Sequence, residues 1–548
     1  MASRDESLAS DLEDPASVAA QPLLLPRPVA AAAGGDASVT GLSPSTNESY
    51  SPISYHYGRR PPRDIPALLL FLFFCIATFA LGITALARRN AAASRVSFYV
   101  FDRNTSSCVL PSSNSFSSSF SSSPFLKDLI WTLVVTFLLS GPIALAVLWI
   151  LRRYAKQVVY AAIPFFILIP SFLNIYWFVA CTIGRDCSNA FPLGYRIIVL
   201  IFVFLLIGVF IWIIVANWRR VELTVQIVRV AANALASNIA LLAVLPAMGL
   251  ALLVYFSPIC VFLIFSTWNG RVVPREVKGT SGEYYKCVWK QESWVPAYFA
   301  LAIITMIWSA ATLVEANVYV IGDTVAQWYF NKEGSKPAKS LRSSLRNAFG
   351  PSFGTVCFSG MVMGAVRFVR SIVDSARQDE DARGFVNLIF KCCAEFLLAA
   401  FDFVNKFTII FAAITGESYC SSAKMTYELL RRNLLSAVFV ETVSTRILIG
   451  IIFVLSALYA IVVCAILRAI SALGENMYYV AALAWLLLIV VLGCFINVLD
   501  NVIDTVYVCY AIDRDKGEVS KSEVHEVYMH LPISRNHRSA LGRPSQIA

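Results

Sequence analysis

Ten stretches of this sequence are apolar over about twenty residues or more, and they lie at about 65–87, 127–150, 158–180, 195–217, 238–268, 294–330, 348–372, 385–414, 434–467 and 477–510. A run of about twenty apolar residues suffices to cross the hydrocarbon core of a bilayer as a helix. Inside hydrocarbon every backbone amide must find its partner within the protein, which leaves only helices and closed barrels. Runs this long and this continuous are helical. With 57% of residues hydrophobic and 15% charged, the sequence predicts an all-α polytopic membrane protein of about ten transmembrane helices.

The segments between the runs set the expected orientation. Residues 1–63 are rich in Ala, Ser, Pro and Gly and read as a disordered cytoplasmic tail, too polar for a signal peptide. Residues 64–510 form the transmembrane domain, and 511–548 a polar cytoplasmic tail. The clusters Arg152, Arg153, Lys156 and Arg219, Arg220 fall in loops on one side, as does the basic loop with Lys332, Lys336, Lys339, Arg342 and Arg346. Basic loops favour the cytoplasm, so both termini are expected there. The loop 88–125 then faces outward. It carries Asn104-Thr105-Ser106, an acceptor triplet for N-glycosylation. Cys181, Cys187 and Cys287 share that outer side, where a disulfide and free thiols are both open readings. The runs at 294–330, 434–467 and 477–510 exceed a bilayer's thickness. Their polar residues crowd toward the cytoplasmic ends, so projection beyond the membrane is expected.

Composition also removes function classes. The four histidines, His56, His525, His530 and His537, all lie in the tails. Membrane catalysis by a histidine base or ligand therefore has no residue to use. No GxxxxGK[ST] sequence occurs, and the thirteen cysteines form no CxxC pair. No cofactor or metal motif emerges, and the net charge of +10 reads as loop charge rather than a nucleic-acid footprint. An enzyme is not expected.

Three polar constellations interrupt the apolar runs. Trp308, Glu315, Tyr319 and Asp323 lie in the sixth, the first three of them on one helical face. Asp500, Asn501 and Asp504 lie in the tenth, with Asn497 and Tyr507 nearby. Two aspartates four apart repel unless a cation sits between them. In the third run Pro164 and Pro170 are expected to interrupt the helix, with Asn174, Tyr176 and Trp177 following. Carboxylates at membrane depth are costly and mark a partner or a pathway. Beside the functional reading stand structural ones: Glu315 or Asp500 paired with Arg367, Arg370 or a backbone amide, Tyr176 and Trp177 as packing or belt residues, and Asp504 in the projecting cytoplasmic end. Elsewhere Lys391 with Glu395, and Asp402 with Lys406, are spaced to pair along the eighth helix. Gly350, Gly354, Gly360 and Gly364 give two GxxxG spacings suited to close packing. Residues 416–433 read as an amphipathic interfacial segment.

Four blocks resemble a known family. GDTVAQWYF at 322–330, FGPSFGTVCFSG at 349–360, AEFLLAAFDFVNKFTIIFAAITGESYCSSAKMTYELLRRN at 394–433 and DNVIDTVYVCYAIDRDKGE at 500–518 are similar, in order, to motifs of the choline transporter-like proteins, the solute carrier 44 family. The outer loop of about 40 residues resembles the short-loop plant and fungal branch. The resemblance implies a ten-span carrier for choline, and for ethanolamine as a related cation, sodium-independent or exchanging against protons, in the plasma membrane or a Golgi or endosomal membrane. The rival expectation is a non-transporting membrane protein of vesicle trafficking or lipid organisation. Oligomeric state is left open.

Overall fold

The computed structural model describes residues 55–56, 58–90, 93, 99–102, 107–109, 124–183, 187, 192–279, 282–331, 340–375, 385–470, 476–516 and 518–531. Asn104, Lys332, Lys336, Lys339 and the side chain of Lys391 lie outside this set, as do residues 1–54. The helices are α1 (Ile65–Ala87), α2 (Pro124–Ile183), α3 (Leu193–Ala216), α4 (Trp218–Ser237), α5 (Leu241–Ser266), α6 (Val295–Phe330), α7 (Ser340–Ala348), α8 (Phe353–Ser375), α9 (Phe385–Thr415), α10 (Tyr419–Ile470), α11 (Asn476–Lys516) and α12 (Ser522–Tyr528). Two antiparallel strand pairs, β1 (Val100–Asp102) with β2 (Ser107–Val109) and β3 (Gly270–Gly279) with β4 (Gly282–Gln291), complete the elements.

Nine of the described helices are long and apolar enough to cross a membrane. One of them, α2, makes two passes. Its backbone leaves helical geometry at Tyr154, with φ −126° and ψ 25°, inside the basic cluster. A straight helix would hold Thr136 and Phe166 about 45 Å apart. Both reach the same stretch of α10: Thr136 Oγ1 lies 3.0 Å from the Tyr459 hydroxyl, and Phe166 meets Gly450. The chain therefore doubles back at Tyr154, and the described residues make ten passes. An even number of passes puts residues 55–64 and the C-terminal helix α12 at the same end of the bundle. The strand pairs lie at the other, here called the hairpin end. Pro164 and Pro170 do not break the second pass of α2, because the helix continues through both. Neighbouring helices re-satisfy freed carbonyls in such bundles, which is why proline is tolerated.

Burial is uneven along the long helices. At 1.5 Å per residue α6 is about 54 Å long and α11 about 62 Å, well beyond a hydrocarbon core of about 30 Å. Toward the end opposite the hairpins their side chains are almost all buried: Ala316 to Ala326 in α6, Asn501 to Ile512 in α11, and Thr408 to Ile414 in α9. These halves form one large apolar core with α4, α12 and the start of α10.

Several segments drawn as loop or tail belong to that core. Between the fourth and fifth apolar runs, α4 buries Leu223, Ile227, Ala231, Ala234 and Leu235, a helical stripe of small and aliphatic side chains. The stretch 419–433, expected at the interface, is the start of α10, with Ser422, Thr426 and Leu429 fully buried. Beyond residue 510, α11 runs on to Lys516 and α12 buries Val524 and Tyr528. Before residue 64, Tyr55 and Arg60 are buried. At the hairpin end, Cys108 is bonded to Cys287 and Cys181 to Cys187. The first of these ties β2 to β4.

Candidate functional site

A buried carboxylate network sits midway along α6. Glu315 is 4% exposed. Its Oε2 accepts from Asn405 Nδ2 of α9 at 3.0 Å. Ser359 Oγ of α8 lies 2.9 Å from both Glu315 Oε2 and Asn405 Oδ1, and its one proton serves one of them at a time. The Tyr419 hydroxyl, at the start of α10, donates to Asn405 Oδ1 at 2.7 Å. Among the described residues no lysine or arginine forms an ion pair with Glu315; the alternative pairing with Arg367 or Arg370 is not made, and Arg370 joins Asp402 at 2.7 Å. When ionised, a carboxylate held by neutral dipoles keeps its net charge, and at this depth it favours a cation beside it.

Close helix approach makes this cluster. A Cβ on Gly360 would stand 2.7 Å from the backbone N and Cα of Thr312, so α8 crosses α6 directly against its backbone. That crossing carries Ser359 to Glu315. Aromatic side chains lie along the same helix crossing. Trp308, about two turns before Glu315, donates its indole N–H to the Cys357 carbonyl at 3.0 Å and stands edge-on to Phe71 and Phe74. Tyr419 packs on Phe358 with ring centroids 4.8 Å apart.

Tyr319 and Asp323 continue the same face of α6 but form a second cluster. Asp323 Oδ1 accepts from Arg60 Nη2 at 2.8 Å and from the Tyr55 hydroxyl at 2.9 Å, and its Oδ2 from Asn347 Nδ2 at 2.9 Å. Tyr319 accepts from Arg60 and donates to Ser352 Oγ at 2.8 Å. Burial pushes the Tyr55 hydroxyl well above its ordinary range, and the Asp323 charge adds to this, so it stays a donor.

Asp500 and Asp504 form a third cluster. Lys406 Nζ lies 2.5 Å from Asp500 Oδ2 and 2.5 Å from Asp504 Oδ2, with Thr445 donating to Asp500. Lys406 is the cation that two aspartates one turn apart require. Its expected partner along the helix, Asp402, bonds Arg370 instead, because Lys406 faces α11. Asn501 donates to the Asn497 carbonyl of its own helix at 2.8 Å.

The proline-bearing pass joins none of these. Asn174 donates to the Leu200 carbonyl of α3 at 3.2 Å, and Tyr176 is 73% exposed on the outer face of the bundle. Trp177 is half-buried on the same helix. Their role as cavity walls rested on a broken helix, and the helix is unbroken.

The sequence reading missed Ser359, Asn405, Tyr419, Lys406 and Arg60 as site residues. Asn405 and Lys406 carried a signal, as polar residues inside an apolar run. Ser359 hides among small residues, and Arg60 and Tyr419 lie in segments read as tail and interface.

A profile of the plasma-membrane choline transporter family matches residues 201–515, which include Glu315, Ser359, Asn405 and the Lys406 cluster. Protein PNS1 of Gibberella zeae is 26% identical over 249 residues, 42% of this chain and 45% of its own length. Choline transporter-like protein 5 of Xenopus tropicalis is 27% identical over 209 residues, 36% of this chain and 29% of its own length. Choline transporter-like protein 3 of Homo sapiens is 23% identical over 322 residues, 56% of this chain and 47% of its own length. The matched stretch thus spans less than half the length of these relatives. With more than half of its residues under the family profile, the chain belongs to the plasma-membrane choline transporter family.

Proposed function

We propose that the protein carries choline or a related small organic cation, ethanolamine among them, across the plasma membrane, driven by the cation's own gradient and the membrane potential or by exchange against protons. The observation that carries this reading is Glu315: a buried carboxylate in a spanning helix, hydrogen-bonded by neutral groups, with Tyr419 bonded to its partner Asn405 and Trp308 about two turns along the same helix face. A quaternary ammonium has no N–H to donate, so a site for it supplies net negative charge and ring faces rather than hydrogen-bond acceptors. Each face is worth about 0.5–2 kcal/mol to such a cation. In this reading Glu315 supplies the charge, Asn405 and Ser359 hold its orientation, and Trp308 and Tyr419 supply the faces.

The test is Glu315→Gln, read in two ways on the same preparation. Glutamine keeps the acceptor oxygen toward Ser359 and Asn405 and removes the charge. Uptake of labelled choline into vesicles should be lost, while the melting temperature in detergent stays within the few degrees that about 1 kcal/mol produces. Loss of stability together with uptake would make Glu315 structural. Full uptake would remove it from the site and move the choice to Asp500 and Asp504.

A further inference from the structure

Arg60 enters the bundle from outside the membrane-spanning helices and ends against Tyr319 and Asp323. Its side chain is 1% exposed and that of Asp323 is 0%. The guanidinium carbon stands 5.8 Å from the Tyr319 ring centroid, one Nη contacts the Tyr319 hydroxyl, and the other contacts the carboxylate. A buried carboxylate and a tyrosine face around an organic cation are the recognition chemistry expected for a free organic cation as well. Here the cation belongs to the chain.

The position of this cluster matters. Glu315, Tyr319 and Asp323 follow one another at four-residue steps, so Asp323 lies about 12 Å along the helix axis from Glu315, toward the end opposite the hairpins. The segment that delivers Arg60 lies across that end. His56 N donates to the Ile414 carbonyl at 3.2 Å, and Arg63 N to the Pro351 carbonyl at 3.3 Å. Asp64 Oδ2 accepts from Thr355 Oγ1 and from the Tyr419 amide, each at 2.8 Å. Gly416 turns the chain with φ +72°, and a Cβ there would stand 3.2 Å from Arg60 Cδ. Most of these are single hydrogen bonds to groups that water satisfies once the segment lifts. Tyr419 touches both ends of the file, since its amide binds Asp64 and its hydroxyl binds Asn405 beside Glu315.

We propose that Tyr319 and Asp323 form a second binding site for a small organic cation, between Glu315 and the mouth of the bundle, and that Arg60 fills it as a tethered stand-in that withdraws when substrate passes. This rests on the reading of Glu315 as the substrate's carboxylate. The segment 55–64 is then the plug of that mouth, and substrate moving from Glu315 exchanges with Arg60 at Asp323.

Equilibrium binding of labelled choline to purified full-length protein tests this. Wild type should bind one choline per chain, at Glu315. Arg60→Gln should bind a second, which survives in Arg60→Gln/Glu315→Gln, vanishes in Arg60→Gln/Asp323→Asn, and is displaced by millimolar methylguanidinium. Choline binding to wild type with none to Arg60→Gln/Glu315→Gln would overturn the second site and leave Glu315 in place. No binding to wild type, with binding to Arg60→Gln/Glu315→Gln, would instead overturn the reading of Glu315. Should loss of Arg60 prevent folding, the plug can be tested with Arg60 intact. His56→Cys and Ile414→Cys, at backbones 3.2 Å apart, should cross-link under oxidant and stop choline uptake, and reductant should restore it. Undiminished uptake by the cross-linked protein would overturn the proposal.

Discussion

At the scale of single residues, the three carboxylate clusters differ in what neutralises them, and that difference sorts structure from function. Asp323 has a full guanidinium in contact, whereas Glu315 accepts from neutral groups and has no ion-pair contact among the described residues. Asp500 and Asp504 both meet the Lys406 ammonium. Removing Lys406 would take away the ammonium that bridges two carboxylates one turn apart. Breaking a buried pair this way typically costs about 3–5 kcal/mol, more than either partner contributes when paired. Lys406→Met should therefore lose most of its folded, monodisperse population in detergent, and adding Asp500→Asn and Asp504→Asn should recover much of it. A Lys406→Met protein with wild-type melting behaviour would mean that the aspartates find another cation. Glu315→Gln, by contrast, removes a charge with no ion-pair contact among the described residues, and for that reason it is predicted to leave stability nearly untouched.

At the scale of the element, the crossing of α6 by α8 decides whether the Glu315 cluster exists. The glycines of α8 are not equivalent. Gly360 lies against the Thr312 backbone, whereas a Cβ on Gly364 would meet only Ile307 Cγ2, at 4.0 Å. Gly360→Leu should force the helices apart, at the upper end of the roughly 1–3 kcal/mol that overpacking costs, and separate Ser359 from Glu315. Gly364→Leu should cost about 1 kcal/mol or less and keep uptake. Equal losses in both variants would show that the whole face is closely packed. The spans themselves were legible in the sequence because hydropathy reports depth in a bilayer directly, and α1 and α9 lie almost where the apolar runs place them. What was not legible is packing outside the apolar runs. There α4, the start of α10 and α12 are amphipathic or polar by composition, and only their partners bury them. The site was half legible for the same reason. Glu315 stands out in an apolar run, but Arg60 is one arginine among several before α1 until the fold brings it 263 residues along the chain to Asp323.

At the scale of the whole molecule, orientation determines which way a cation moves, and charge alone does not settle it. The end opposite the hairpins carries Arg152, Arg153, Arg219, Arg220, Arg342 and Arg346, but β3 and β4 carry Arg271, Arg275, Lys278, Lys286 and Lys290. The disulfides break the tie. Cys108–Cys287 and Cys181–Cys187 both sit at the hairpin end, and such bonds persist in oxidising compartments and are rare in the cytosol. The hairpin end is thus predicted to face outward, which places the Arg60 plug, both termini and α7 in the cytoplasm. In cells whose exposed Cys260, Cys393 and Cys420 are replaced by serine, a membrane-impermeant maleimide should label Arg271→Cys from outside. Ser343→Cys, at an exposed position of α7, should label only after permeabilisation. Labelling of both from one side would break the ten-pass count, and the reverse pattern would invert the molecule. The orientation then has an energetic reading. A monovalent cation moving from the hairpin end past Glu315 toward Asp323 gains about 2.3 kcal/mol per 100 mV of inside-negative potential. Choline uptake into vesicles with the hairpin end outward should therefore rise when an inside-negative potassium diffusion potential is imposed and fall when its sign is reversed. Uptake indifferent to potential would require a second charge moving the other way, as in exchange against a proton.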